Sequence, residues 1–269
     1  MNTPLVSVLM PAYNAEKYIA KSIQSILDQT FKDFELIIID DASTDKTFDI
    51  SQEFKDKRII LIRNEKNLYI AENRNKALSF AKGKYIVWQD ADDISYKYRL
   101  EKQVEFMEKT LDVGICGGYL DSFTNEKITD TRKYFSDDKN LRKRIFKQSP
   151  VAQPSAIIRK ECFTKVGLYN VKYPPAEDLD MSFRIGTHYK FANLQISLIK
   201  YREHPNSATF QKFTKIILMT LRIRLNNINN KAYSFSFFDF VYQIVTLIAL
   251  FLPTNIIING FKRFRKVES

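Results

Sequence analysis

The chain has 269 residues, with 42 Lys and Arg against 31 Asp and Glu, for a formal charge of +11. Its 45 % hydrophobic and 27 % charged content is ordinary globular composition and excludes an extended disordered chain. The seven glycines, at 83, 114, 117, 118, 167, 186 and 260, fit neither the G-x-G-x-x-G dinucleotide fingerprint nor the G-x-x-x-x-G-K phosphate loop, so both are excluded.

Met1 to Leu9 lacks the charged start and long apolar run of a secretory signal, and Cys116 and Cys162 sit beside apolar neighbours. A reducing, cytosolic setting is the expectation. Four short apolar runs then follow one another, Leu5 to Met10, Phe34 to Ile39, Ile59 to Ile62 and Tyr85 to Trp88, with helical patterns between them. That rhythm predicts βαβ units, an α/β class and a mainly parallel sheet. The first connecting helix is expected to start from Asn14 as its N-cap and to bury Ile19, Ile23, Ile26 and Leu27 on one stripe. A second stripe, Leu100, Val104, Met107 and Leu111, follows the fourth run, and Val113 to Cys116 reads as a fifth strand. Beyond Gly118 shorter strands are expected around Ser155 to Ile158 and Phe191 to Ile199.

The charge is uneven. Residues 200–269 hold eleven Lys and Arg and three acids, a net of +8, which leaves +3 for the first 199. This tail also carries an uncharged apolar run from Phe240 to Phe261, closed by Lys262, Arg263, Arg265 and Lys266. The run is long enough to span a bilayer but is broken by Pro253, Asn255 and Asn259, so an in-plane or re-entrant segment on an anionic membrane surface is expected over a full span. A core helix with a solvated basic end is the alternative. Nucleic acid is not an expected partner, because these cations flank a hydrophobic block instead of forming a dense polar stripe.

In an open α/β sheet ligands bind beyond the carboxyl ends of the strands, and two of those ends are acidic. The second run leads into Asp40 and Asp41, with Asp45 close behind in a turn or cap; the fourth leads through Gln89 into Asp90, Ala91, Asp92 and Asp93. Hard carboxylate oxygens at that density suit Mg²⁺ or Mn²⁺. A third pair, Glu177 and Asp178, opens a helix pattern with Leu179, Met181, Phe183 and Ile185 and could cap that helix or act as a general base. With only His188 and His204 present, a histidine-centred zinc site is not expected, and His188 reads as structural.

Taken together, Val6 to Asn14, Ser25 to Thr30, Ile39 to Asp45, Asn73-Arg74-Asn75, Gly83 to Ile86 with Asp90 to Asp93, Ala176 to Asp180 and Tyr201 to His204 resemble the family 2 glycosyltransferases, over about residues 4–208. The resemblance implies a GT-A type, Rossmann-like catalytic domain over residues 1–208, with 209–269 a helical, basic, membrane-associating extension. It implies that Pro11, Tyr13, Asp41, Arg74 and Asp90 bind the nucleotide-sugar, with Asp41 at the base and Asp90 at the ribose. Asp92 and His204 would hold a divalent cation, Mn²⁺ or Mg²⁺, with Asp93 a further candidate, and Asp178 would be the catalytic base with Glu177 beside it.

The implied activity is inverting, non-processive transfer of a sugar from a nucleotide-diphosphate donor, UDP first among the candidates. The acceptor would be a hydroxyl of a glycan or lipid-linked glycan in cell-surface polysaccharide synthesis at the inner face of the cell membrane. Tyr69 departs from the family, whose members often have glycine there. The Q-x-x-R-W motif of processive relatives cannot occur, since Trp88 is the sole tryptophan. Two other readings compete: a sugar-phosphate nucleotidyltransferase, which would want a Gly-rich start after the first strand, and a non-catalytic nucleotide-sugar binder, which would have lost these carboxylates.

Overall fold

A computed structural model describes residues 3–204 and 212–250. Residues 251–269, and with them the end of the apolar run and the Lys262–Lys266 cations, lie outside the described residues. The first half is a set of βα units. Strands β1 (Val6–Ala12), β2 (Phe34–Asp40), β3 (Ile59–Arg63) and β4 (Tyr85–Trp88) alternate with helices α1 (Ile19–Leu27), α2 (Thr47–Glu53) and α3 (Tyr69–Phe80). They pair in the order β3-β2-β1-β4, all parallel.

β1, β2 and β4 read as continuous apolar runs because each is covered on both faces. Val8, Met10, Ile38 and Val87 pack under Ile19, Ile23 and Ile26 of α1 and under Leu100, Val104 and Met107 of α4 (Arg99–Lys109). Leu9, Ile37, Ile39, Ile86 and Trp88 face the opposite layer.

The second half of the sheet is mixed, not parallel. The three residues of β8 (Ile157–Arg159) lie antiparallel between β4 and β6 (Val113–Thr124), and β6 then pairs parallel with β9 (Lys190–Arg202). Short β5 (Ile94–Ser95) closes against β9, and β7 (Lys127–Arg132) hangs from β6 as a hairpin. The pairing of β5 with β9 brings the Asp90–Asp93 loop beside the end of β9, which carries Arg202 and leads to His204. Helices α5 (Asp138–Arg144), α6 (Lys160–Val166) and α7 (Glu177–Ile185) complete the far layer.

Two local expectations are corrected. Asn14 does not cap α1; the helix begins at Ile19 after a turn, with no side-chain cap. Asn14 instead adopts φ 49° and ties two strand ends together, its N–H donating to Ser43 Oγ at 3.0 Å and its Oδ1 accepting from Thr44 N–H at 2.9 Å. Leu111 is not on the α4 stripe, because the helix stops at Lys109 and leaves it 71 % exposed. Tyr69, where the resemblance favours glycine, has φ 60°, a conformation that disfavours a side chain by about 1–2 kcal/mol. Its N–H is anchored to Asn67 Oδ1 at 2.8 Å.

The tail is docked on this body. Helix α8 (Phe213–Asn226) buries Ile217, Leu221 and Ile223, and Tyr233 donates its hydroxyl to the Phe183 carbonyl of α7 at 2.8 Å. Gly186 permits this approach, since a Cβ there would overlap the Tyr233 hydroxyl and the Phe191 ring. Helix α9 (Phe237–Ala249) starts from a Ser236–Asp239 capping box. Among the described residues no helix is long and apolar enough to cross a membrane.

Candidate active site

The candidate residues converge on the carboxyl edge of β1, β2 and β4. Register sets Ala12 opposite Asp40, and the Asp41 N–H donates to the Ala12 carbonyl at 2.8 Å, so Pro11, Tyr13 and Asp41 occupy neighbouring strand ends. Asp41 is buried, and its Oδ1 accepts from Asn64 Nδ2 at 2.6 Å and from the Leu68 N–H at 2.8 Å. Tyr13 stays half exposed above it. Asp40 faces the other way, ion-paired with Arg63 at 3.2 Å. Asp45 accepts from the Thr47 and Glu16 N–H groups at 3.0 and 3.1 Å in the turn before α2, whose N-cap position is Lys46.

The Asp90–Asp93 loop is braced from beneath by two buried side chains. Gln89 Nε2 donates to the Asp90 and Asp93 carbonyls at 3.1 and 3.0 Å. Arg99, fully buried, donates to the Trp88 carbonyl at 2.9 Å and to Gln89 Oε1 at 3.2 Å. Burial brings the Arg99 pKa down to about 9, opposed by Asp93 and Asp90, whose charge the guanidinium offsets.

The three carboxylates of the loop have different surroundings. Asp93 has no exposed surface and its Oδ1 accepts from the Arg202 N–H at 2.9 Å, a contact that binds the loop to β9, while its Oδ2 has no hydrogen-bond partner among the described residues. Asp92 remains partly exposed, with its Oδ2 2.9 Å from His204 Nε2. Arg202 holds that pair, donating from Nε to the Asp92 carbonyl at 2.8 Å while its guanidinium lies over the Tyr18 and Phe123 rings; Tyr18 also packs on His204. Asp90 has its pKa raised to about 6, chiefly by burial, with Arg74 opposing and Asp92 and Asp178 adding to the rise. It is therefore the electrostatic link between the Asp92 side and the Asp178 side of one cleft.

On the far side, Glu177 and Asp178 form the first turn of α7, and Arg74 reaches them from α3. The Arg74 guanidinium lies 2.8 Å from Glu177 Oε1 and packs over the Trp88 and Tyr169 rings. Its Nε finds no acceptor among the described residues. Glu177 is thus buried with Oε1 ion-paired and Oε2 without a hydrogen-bond partner among the described residues. Asp178 is half-buried, accepts from the Leu179 N–H at 2.8 Å, and has its pKa raised by burial against the pull of Arg74. His188 lies exposed in the turn after α7.

A divalent ion fits the Asp92–His204 pair by donor chemistry, one hard oxygen and one imidazole, with diphosphate and water to complete the shell. Among the described residues no three His, Cys, Asp or Glu side chains gather tightly enough to hold an ion alone. Sequence reasoning missed Asn64, Gln89, Arg99, Arg202 and Tyr18. Asn64 directly follows β3, so the strand-end rule applied once more would have found it.

The raised Asp90 pKa yields a stability prediction. A folded-state pKa above the ordinary 3.8 means that Asp90 destabilises the fold once ionised; its favourable contribution is present below about pH 4 and lost as pH rises through 6. Asp90→Asn should therefore stabilise the ligand-free protein by about 1–2 kcal/mol above pH 6.5, and by little at pH 4. Thermal melts of both proteins in chelator from pH 4 to 8 measure this gap, and a gap independent of pH would refute it.

An α/β sheet with this acidic carboxyl edge is the architecture of GT-A type glycosyltransferases. TarS of S. aureus in complex with UDP-GlcNAc superimposes with a TM-score of 0.71 at 18 % identity, over 93 % of this chain and 76 % of that one. The mannosyltransferase PcManGT of Pyrobaculum calidifontis, in complex with GDP-Man and Mn²⁺, gives 0.65 at 18 % identity, over 94 % and 71 %. At that identity the likeness shows the fold. In sequence, an uncharacterised glycosyltransferase of Methanocaldococcus jannaschii is 39 % identical over 210 residues, 75 % of this chain and 72 % of that protein. The Escherichia coli UDP-Glc:alpha-D-GlcNAc-diphosphoundecaprenol beta-1,3-glucosyltransferase WfaP is 31 % identical over 79 % of this chain and 83 % of its own. The profile of Glycosyl transferase family 2 matches residues 7–167, and the chain belongs to that family.

Proposed function

We propose that the protein is an inverting, non-processive glycosyltransferase that moves a sugar from UDP to a hydroxyl of a lipid-linked glycan in cell-surface polysaccharide synthesis. The observation carrying this reading is the unequal placement of the acidic pair: burial raises the pKa of both, but Glu177 is buried with Oε1 ion-paired to Arg74, whereas Asp178 is only half-buried. One carboxylate is locked and its neighbour is left to take a proton. Asp178 accepts the acceptor hydroxyl proton as the oxygen attacks the anomeric carbon, and Arg74 positions the helix turn that carries it through Glu177. Pro11, Tyr13 and Asp41 hold the base, and Asp90 the ribose.

Asp92 and His204 would hold a Mn²⁺ or Mg²⁺ ion, whose chemistry there would be to neutralise charge on the departing diphosphate. Asp93 serves the loop through the bond of its Oδ1 to the Arg202 N–H, with Oδ2 a further candidate donor. A single displacement suffices, because the leaving group is already good and no second nucleophile is needed. The UDP donor and the lipid-linked acceptor are supported by the activity named for WfaP, a relative sharing most of the chain. Residues 1–208 form the catalytic body, and 209–269 hold it at the cytosolic face of the membrane.

Incubation of the purified protein with UDP-, GDP-, CDP- and dTDP-sugars and Mn²⁺, read by thermal shift and by nucleotide release, tests the reading. UDP-sugars should give the largest shift and measurable slow hydrolysis. No shift with any donor would leave a binder of other chemistry, and incorporation of a nucleoside monophosphate into a sugar phosphate would favour nucleotidyl transfer.

A further inference from the structure

Helix α9 is built inside out. Its inward face is polar: Asp239, Gln243 and Thr246 are almost fully buried. Asp239 is ion-paired with Lys147 at 3.2 Å, and Gln243 donates from Nε2 to the Phe146 carbonyl at 2.7 Å. Its outward face is apolar, with Phe237 and Phe238 74 % and 75 % exposed and Val241, Ile244, Val245 and Ile248 exposed behind them. A helix facing water puts its polar stripe outward. This one places its polar stripe against the body and turns its hydrophobic stripe away from it.

We infer that this outward stripe of α9 docks flat on an anionic lipid bilayer and holds the acceptor side of the cleft at the headgroup layer. Charge selects that occupant over others. Between residues 212 and 266 there are nine Lys and Arg and one acid, Asp239, which is buried in its ion pair. A second copy of the chain would meet this face with the same positive surroundings. Residues 251–261 are uncharged, so covering the stripe with them would leave the surrounding cations without a counter-charge. A bilayer supplies both an apolar interior and anionic headgroups for Lys212, Lys215 and Arg222, which are exposed around α8. The 13 described residues of α9 are fewer than a span needs, and their polar stripe is held against the body, so this part of the chain lies in the plane.

The docked face is mechanically joined to the site. On α8, Asn226 Nδ2 donates to the Tyr173 hydroxyl at 3.0 Å in the loop just before α7, and Tyr233 bonds to α7 itself. The docking serves a lipid-borne acceptor and in that respect rests on the function proposed above, whereas vesicle binding is measured with no acceptor or donor present.

Phe238→Trp in the full chain tests the inference, because Trp88, 1 % exposed, provides a constant background. With vesicles of 70 % phosphatidylcholine and 30 % phosphatidylglycerol, the introduced tryptophan should blue-shift and be quenched by brominated lipid. Pure phosphatidylcholine or 1 M salt should reduce binding about tenfold or more. Phe238→Ser with Val245→Ser should lower vesicle partitioning at least tenfold, with an unchanged melting curve and unchanged UDP release from the donor. Emission from the introduced tryptophan that ignores anionic vesicles overturns the inference, as does a parent protein whose dimer is lost in the double variant. Donor turnover absent with vesicle binding intact would defeat the glycosyltransferase reading alone.

Discussion

Asp178→Asn is expected to keep the fold and donor affinity and to lower kcat by about 10²-fold or more, equivalent to roughly 3 kcal/mol of transition-state stabilisation. The amide preserves size and can still accept from the Leu179 N–H, the bond that sets the carboxylate at the helix start. What it cannot do is take a proton. Because the loss is confined to the transition state, kcat and kcat/KM should fall together. The pH profile offers an independent reading. Burial raises the Asp178 pKa, so in the parent kcat should climb with pH as the carboxylate ionises, and that acidic limb should vanish in the variant. Glu177→Gln should behave differently: it leaves the buried Arg74 charge without its partner, so the melting temperature falls along with activity. Normal turnover of Asp178→Asn would move the base to another carboxylate, Glu177 or Asp180.

The division between what was legible and what was not follows a physical line. Runs such as Phe34 to Ile39 declared themselves because a strand covered on both faces is almost wholly apolar, Glu35 being the single polar position, satisfied by Ser7. The insertion of β8 was not legible in topology. Three residues, Ile157–Arg159, find their place only through Ile86 and Ile115, which lie far off in the chain. The acidic strand ends were legible because carboxylates concentrated there are costly unless they have a task. Arg99 and Gln89, which make that concentration tolerable, carry no local signature, since a buried cation beneath an acidic loop exists only once the fold has formed. The Phe240 to Phe261 run was legible as a membrane candidate by composition. Which face of α9 turns outward was not, because it depends on the Phe146 carbonyl and Lys147 meeting Gln243 and Asp239.

Asp92→Ala should abolish transfer, and the reason lies in the loop's electrostatics. Three carboxylates occupy four residues; Asp93 is fully buried with Oδ1 on the Arg202 N–H, and Asp90 is partly buried with a pKa raised to about 6. Asp92 alone combines partial exposure with a neighbouring imidazole, so its removal takes away the one hard oxygen available beside His204. Loss of that oxygen should cost at least 10³-fold in turnover, since the diphosphate charge then builds up without compensation. The fold should survive, because Arg202 bonds to the Asp92 carbonyl oxygen and not to its side chain. Titration calorimetry separates this from general damage: Mn²⁺-dependent UDP binding should disappear in Asp92→Ala while the melting curve stays within a few degrees of the parent. His204→Ala should weaken Mn²⁺-dependent binding less, by about 10–100-fold, as one ligand of the pair remains. Excess EDTA should reduce the parent to the level of Asp92→Ala, and full turnover in EDTA would remove the metal from the mechanism and leave the Asp92–His204 contact a structural one.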